Sequence, residues 1–310
     1  MPKLTRNLFL LGQAIFATMG FIILATTYDT NHYLAAASDK HHRLYASKPP
    51  RIILVGGSNL AFSVDSEKIE RRFGMPVINM GLHAGVELRF MLSEIQPVLS
   101  KGDVVIIFPE YEHFYSLLLD GRPRELGNVI KFCPECISAI NTPGQAFNVI
   151  SGILQTLEGD ILRGVRKTDS YEKVYTCAGF NEWGDMVAHL DQPDPGDPNK
   201  HVSRFDVNSL APTIDLLNSF YRSCESANIR VLLMFPAIPI NEYKSGKKNF
   251  MDLYDHLNAD LKIPIIGTPG DFAYPRDMFY DTVYHMNRIG RDSRTAHVID
   301  LLTPVFEKGK

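Results

Sequence analysis

The most constraining feature of this chain is a set of short apolar runs that do not alternate. Arg51–Val55, Pro76–Asn79, Asp103–Phe108, Ile229–Phe235 and Ile263–Gly267 each read as a strand, and most are continuous runs of Ile, Leu, Val and Phe. A strand with one wet face alternates apolar and polar residues, whereas one buried on both faces does not, and that is the signature of a parallel sheet. Helical stripes lie between several of these runs. Leu88, Met91, Leu92 and Ile95 make one, and Ile214, Leu217, Phe220, Tyr221 and Cys224 make another. Strand–helix alternation with right-handed crossovers predicts an α/β/α sandwich of three layers.

The first strand runs into Gly56-Gly57-Ser58-Asn59. A helical pattern follows, with Ile69 and Phe73 on one face, Asp65 or Ser66 as N-cap and Gly74 as stop. Ser58 therefore sits at the carboxyl end of a strand, before a helix, where an α/β sheet places its reactive groups. Its hydroxyl is expected to be exposed on the turn, with its own N–H aimed at a developing oxyanion. Near the far end of the chain, Phe279 to Asn287 brings an acid, Asp281, close to His285, ahead of a last helix carrying Val298, Ile299, Leu301 and Leu302. A nucleophilic serine needs a base, and the base needs an acid to hold its tautomer. Asp277 is a second candidate acid on the same loop, and His83 a second candidate base.

Taken in order, these segments resemble the SGNH (GDSL-type) hydrolase superfamily from about Arg51 to Leu302. The first block matches as Gly56-Gly57-Ser58-Asn59, with Gly57 where the family usually has aspartate. The second matches as Ile78-Asn79-Met80-Gly81, and the last as Asp281 to Asn287 followed by Gly290. The resemblance implies a flavodoxin-like form of the sandwich, Ser58 as nucleophile, His285 as base and an oxyanion hole from the N–H groups of Ser58 and Gly81. Two positions depart from the family. Its acid normally lies three residues before the histidine, where this chain has Thr282, and Asp281 is four before. Its third-block Gly-x-Asn is replaced after Val104–Phe108 by Pro109-Glu110-Tyr111-Glu112.

Lys3 and Arg6 precede an apolar run, Leu8 to Ala25, close to the ~20 residues that span a bilayer. Residues 1–28 read as a signal anchor with the basic end cytoplasmic and the rest exported, single-pass on the inner membrane with the domain on the periplasmic or extracellular side. A cleaved signal peptide ending near Ala35-Ala36-Ala37 is the rival reading. Residues 29–50 are polar, end in Pro49-Pro50 and read as a tether, leaving 51–310 as the catalytic domain.

Between the third and fourth strands lies a long stretch, about 111–206, too long for a simple connection. It reads as an insertion over the strand ends. Trp183, Asp185 and His189 within it are residue types that bind sugars, the ring by stacking and the others by hydrogen bonds, although an ordinary amphipathic segment reads equally well. Asn59, Glu110 and Tyr111 are candidates for the pocket lining. Glu110-Tyr111-Glu112-His113 offers no partner set at metal-ligand spacing, so no metal or other cofactor is expected. Cys133-Pro134-Glu135-Cys136 lacks a second pair at zinc spacing and reads as a local disulfide; Cys177 and Cys224 are left either paired or free.

The net charge of −3 is near balance and gives no reason to expect nucleic acid. By resemblance to the membrane-anchored SGNH proteins of cell-envelope modification (the alginate O-acetylation proteins and the D-alanyl transfer protein of lipoteichoic acid synthesis), the expected activity is O-acylation, most often O-acetylation, of an envelope or secreted polysaccharide. The expected partner is a membrane-bound O-acyltransferase. An esterase of the same fold, or a non-catalytic glycan-binding scaffold, are the alternatives.

Overall fold

The computed structural model describes residues 31–115, 119–166, 174–193, 195, 201–202 and 209–307. Its centre is a five-stranded parallel sheet. The strands are β1 (Ile52–Gly56), β2 (Val77–Asn79), β3 (Val104–Phe108), β4 (Arg230–Met234) and β6 (Ile265–Ile266), in the order β2-β1-β3-β4-β6. Two short strands, β5 (Ile238–Pro239) and β7 (Ala273–Tyr274), pair in parallel outside it. Every residue of β1, β2 and β3 is buried, as the unbroken apolar runs require.

β1 and β3 run in register from Ile52 opposite Val104 to Gly56 opposite Phe108. At their amino ends a buried ion pair fixes that register. Asp103 accepts the Arg51 N–H at 2.8 Å through Oδ1 and its guanidinium at 2.7 Å through Oδ2. At their carboxyl ends the chain leaves both strands towards the same edge.

The helices are α1 (Ala36–Ala46), α2 (Ser58–Ala61), α3 (Ser66–Phe73), α4 (Glu87–Ile95), α5 (Tyr111–Tyr115), α6 (Pro123–Phe132), α7 (Pro143–Arg166), α8 (Ala211–Ser226), α9 (Ile240–Asp260) and α10 (Arg288–Glu307). α3 begins where its cap predicts: the Asp65 side chain accepts the Lys68 N–H at 3.2 Å. It stops at Gly74, whose φ of 67° is left-handed, as a helix C-terminus favours.

Residues 31–48 are not a tether. α1 packs onto the sheet with Ala36, Ala37, Lys40, His41 and Leu44 buried, a helical stripe the sequence reading missed because two of the five are polar. Lys40 is satisfied inside: its ammonium donates to the carbonyls of Asn79, at 2.9 Å, and Gly184. The predicted anchor, Leu8 to Ala25, lies outside the described residues. Among the described residues no helix is long and apolar enough to cross a membrane.

The expected insertion holds α5, α6, α7 and a strap over 174–193. α6 and α7 cross in close contact at Gly127 and Gly152: a Cβ on Gly152 would come within 1.7 Å of the Pro123 carbonyl oxygen. The strap is fastened to the sheet and to α2, since the Asn79 N–H donates to the Trp183 carbonyl at 3.0 Å and the Met186 N–H to that of Ala61 at 2.8 Å.

Candidate active site

Ser58 is the first residue of α2, directly after β1 and two glycines. The glycines answer to space. A Cβ at 56 would lie 2.6 Å from the Phe108 carbonyl oxygen, and one at 57 would lie 2.5 Å from Glu110 Oε1 and 3.1 Å from the Ala84 nitrogen. The backbone of the turn is thus pressed between β3 and the loop after β2. Glu110 follows β3 and reaches across the strand ends. Its Oε1 accepts the Ser58 hydroxyl at 3.3 Å and the Asn59 N–H at 3.0 Å. The Ser58 and Ala84 N–H groups have no acceptor among the described residues.

Glu110 is buried, and burial, with Glu112 nearby, pushes its carboxyl up to about 7. Its N–H donates to His113 Nδ1 at 3.0 Å, and His113 Nε2 lies 3.0 Å from the Ala84 carbonyl oxygen. With Nδ1 accepting, Nε2 must carry the proton and donate. Burial holds His113 neutral by lowering it to about 4, so it serves as a clamp between the two loops that flank Ser58.

His285 comes from the loop before α10. Thr282, at the position three before it, turns the backbone: its hydroxyl accepts the N–H groups of Tyr284 at 3.1 Å and His285 at 3.0 Å. That bend brings Asp281 Oδ1 to 2.8 Å from His285 Nδ1. Tyr175, from the strap, donates to Asp281 Oδ2 and lies 3.1 Å from the same Nδ1. Burial alone would raise the Asp281 carboxyl, but the hydrogen bond and charge of His285, with the Tyr175 bond, hold it below its usual value. Asp277, the other candidate acid, is exposed and does not line the cavity that holds His285; its main-chain carbonyl accepts the Asn287 side chain at 2.7 Å.

The imidazole stacks on Phe62 with ring centroids 3.9 Å apart and planes 10° from parallel. Phe62 closes the turn of helix that Ser58 opens, its N–H donating to the Ser58 carbonyl at 3.0 Å. Ser58, His285, Asp281 and Glu110 accordingly line one cavity of about 750 Å³, shared with Tyr33, His83 and Tyr175 among others.

Several residues read as site residues lie elsewhere. The Gly81 N–H donates to Asn79 Oδ1 at 2.8 Å and is spent inside the loop rather than facing the cavity. Asn59 is fully buried; its amide donates to the Phe108 carbonyl at 3.2 Å, tying α2 to β3. Tyr111 is buried against Phe235 and Phe250. Trp183 donates to Glu70 at 3.1 Å. Asp185, fully buried, caps α3 by accepting the Ser66 N–H at 2.8 Å and binds the Asn79 amide at 2.8 Å. His189 is buried with Nε2 2.9 Å from the Met286 carbonyl, and burial lowers it to about 4. These three residues fasten the strap and leave no group facing a sugar in the cavity. Glu110 does line it, and His83 lines it with Nδ1 accepting the Gly85 N–H at 3.0 Å. Tyr175 was missed, because nothing local in Val174-Tyr175-Thr176 marks a hydroxyl that meets a loop more than a hundred residues away.

No protein-family model matches this chain, and no curated protein matches it.

Proposed function

We propose that this chain is a serine-dependent acyl-transfer enzyme of the SGNH type. The observation that carries the reading is a serine at a strand end on one cavity with a half-buried Asp281 bonded to a buried His285, whose ring stacks on Phe62 one helical turn from Ser58. The strand order β2-β1-β3-β4-β6 supports the flavodoxin-like three-layer form, in which ligands meet the carboxyl ends of the strands.

In this reading the Ser58 hydroxyl turns from Glu110 to His285 when the acyl donor enters. Its oxygen attacks the acyl carbonyl carbon while Nε2 of His285 takes the proton. Asp281 keeps the other proton on Nδ1 and stabilises the imidazolium. The oxyanion is received by the N–H groups of Ser58 and Ala84 in place of Gly81, and each such donor is worth about 3 kcal/mol. Collapse returns the proton from His285 to the leaving alcohol and leaves the acyl group as an ester of Ser58. An acceptor hydroxyl then gives its proton to His285, attacks that ester and frees the serine. A negative Glu110 next to a developing oxyanion would oppose the step, so the neutral acid is the working form, presenting an O–H to the same region.

The acceptor is an envelope or secreted polysaccharide and the acyl group acetyl, brought across the bilayer that Leu8 to Ala25 would span by a membrane-bound O-acyltransferase. Water in place of the sugar hydroxyl makes the same machinery an esterase. Ser58→Ala decides the reading. It is expected to abolish both cleavage of p-nitrophenyl acetate and acetylation of the polysaccharide while leaving the far-ultraviolet dichroism unchanged; wild-type turnover in that variant overturns it. Adding a sugar acceptor to the ester assay separates transfer from hydrolysis by the appearance of acetylated sugar.

A further inference from the structure

Away from the cavity, α1, α4 and the turn after α6 meet at a buried cluster of four side chains. A ring nitrogen of His41 and the Sγ atoms of Cys133 and Cys136 lie within 4.8 Å of one another. Glu94 Oε1 is 3.5 Å from His41 Nδ1 and 3.5 Å from Cys136 Sγ, and Cys136 Sγ is 3.6 Å from His41 Nδ1. Both cysteines are fully buried, His41 is 6% exposed, and the Glu94 side chain 11%. The two sulfurs are joined as a disulfide. Zinc bonds of about 2.3 Å to sulfur and about 2.0–2.2 Å to nitrogen and oxygen give a tetrahedron with edges of about 3.5 Å. The three contacts among Glu94, His41 and Cys136 already have that length. The ring of His41 is held in place by stacking on Tyr45, with centroids 4.4 Å apart.

We propose that the dithiol form of Cys133 and Cys136, together with His41 and Glu94, is a structural binding site for a zinc-like divalent cation, and that metal and disulfide are alternative occupants of the same place. A dithiol reductant delivers two electrons and two protons to the bridge, giving two thiols and leaving as its own disulfide. Binding M²⁺ then releases both thiol protons to solvent and forms two metal–thiolate bonds, one metal–imidazole bond and one metal–carboxylate bond. Two thiolates and an imidazole favour zinc, cobalt or cadmium over magnesium and calcium, which take oxygen ligands. Four protein ligands leave no open position, as in sites that hold structure rather than do chemistry. The ion would join α1 to α4 and to the end of α6, three segments far apart in sequence.

The test uses the full-length chain reduced with a phosphine under anaerobic conditions and titrated with Co²⁺. A thiolate-to-cobalt charge-transfer band and tetrahedral d–d bands saturating at one equivalent are expected, and Zn²⁺ should bleach them stoichiometrically. The oxidised protein should show neither. Cys133→Ser with Cys136→Ser should abolish the charge-transfer band, whereas Cys177→Ser with Cys224→Ser should leave it intact. His41→Ala and Glu94→Gln should each weaken Co²⁺ binding at least about tenfold, as the loss of a ligand does. Zn²⁺ should raise the Tm of the reduced wild type, and by less that of His41→Ala at the same concentration. A reduced wild type with four titratable thiols and no charge-transfer band overturns the site, and so does a band that survives the loss of both cysteines.

Discussion

The hydroxyl of Thr282 accepts the backbone N–H of His285 at 3.0 Å, and this bond, with the one from the Tyr284 N–H, lets Asp281 reach the imidazole from four residues away. In a regular strand Asp281 and His285 would lie on one face but some 13 Å apart. The turn closed by Thr282 folds that distance to one hydrogen bond. The residue standing where the resembled family keeps its acid thus sets the geometry for the acid next to it.

Asp281→Asn is expected to lower kcat by about four orders of magnitude, the cost of losing the residue that holds the base in its working tautomer. Asp277→Asn should stay close to wild type. Steady-state kinetics on an activated ester, with urea denaturation to match stabilities, compares the two. Equal and mild losses would mean that His285 works without a carboxylate partner.

Tyr175→Phe removes one donor from Asp281 and leaves the ring that packs on Tyr33 and Phe62. A hydrogen bond to a charged group is worth about 1.5–3 kcal/mol, so kcat should fall about tenfold or more while KM moves little. An unchanged kcat would show that Tyr175 is packing alone.

Glu110 carries a pH signature. Its carboxyl rises from 4.5 to about 7 on folding, so the unfolded chain loses this proton first. Stability should be at its full value below pH 4.5, decline as pH rises to about 7, and be flat above, with a total of order 3 kcal/mol. Glu110→Gln should lack that decline and be the more stable protein at pH 8. The same substitution should remove a loss of kcat that follows ionisation above about pH 7 in the wild type. Parallel stability and kcat profiles in the two proteins would sink this account.

Leu44→Ala tests the role of α1. Leu44 is fully buried, and such truncations cost about 2–5 kcal/mol. Urea denaturation should show a loss in that range with the transition still single. A negligible change is what a loose tether would give.

Much of the sheet was legible because burial on both faces writes itself as unbroken apolar sequence: each of the five predicted strands overlaps its observed counterpart, with ends off by one or two residues, and β1 runs one residue beyond its predicted end, to Gly56. The Ser58 junction and the Asp281–His285 pair were legible because local chemistry and local structure coincide there. α1 was not, since a lysine and a histidine on its inner face look like solvent-facing residues until Asn79 and Gly184 supply carbonyls to Lys40. Trp183, Asp185 and His189 misled for a related reason. Residue types that grip a sugar also grip a backbone, and here each of the three is engaged by the protein itself. Gly81 misled because a glycine marks a turn without saying which way its N–H faces.

The absence of a side chain at Gly57 has a consequence beyond conformation. The volume a Cβ would take there is already filled by Glu110, 2.5 Å from where that atom would be. One carboxylate fits beside Ser58, and it can arrive from the serine's own strand or from the strand next to it. The two positions therefore behave as a single locus with two addresses. Gly57→Asp alone should fold badly, Gly57→Asp with Glu110→Gly should fold well, and in homologous chains an acid at one position should go with a small residue at the other.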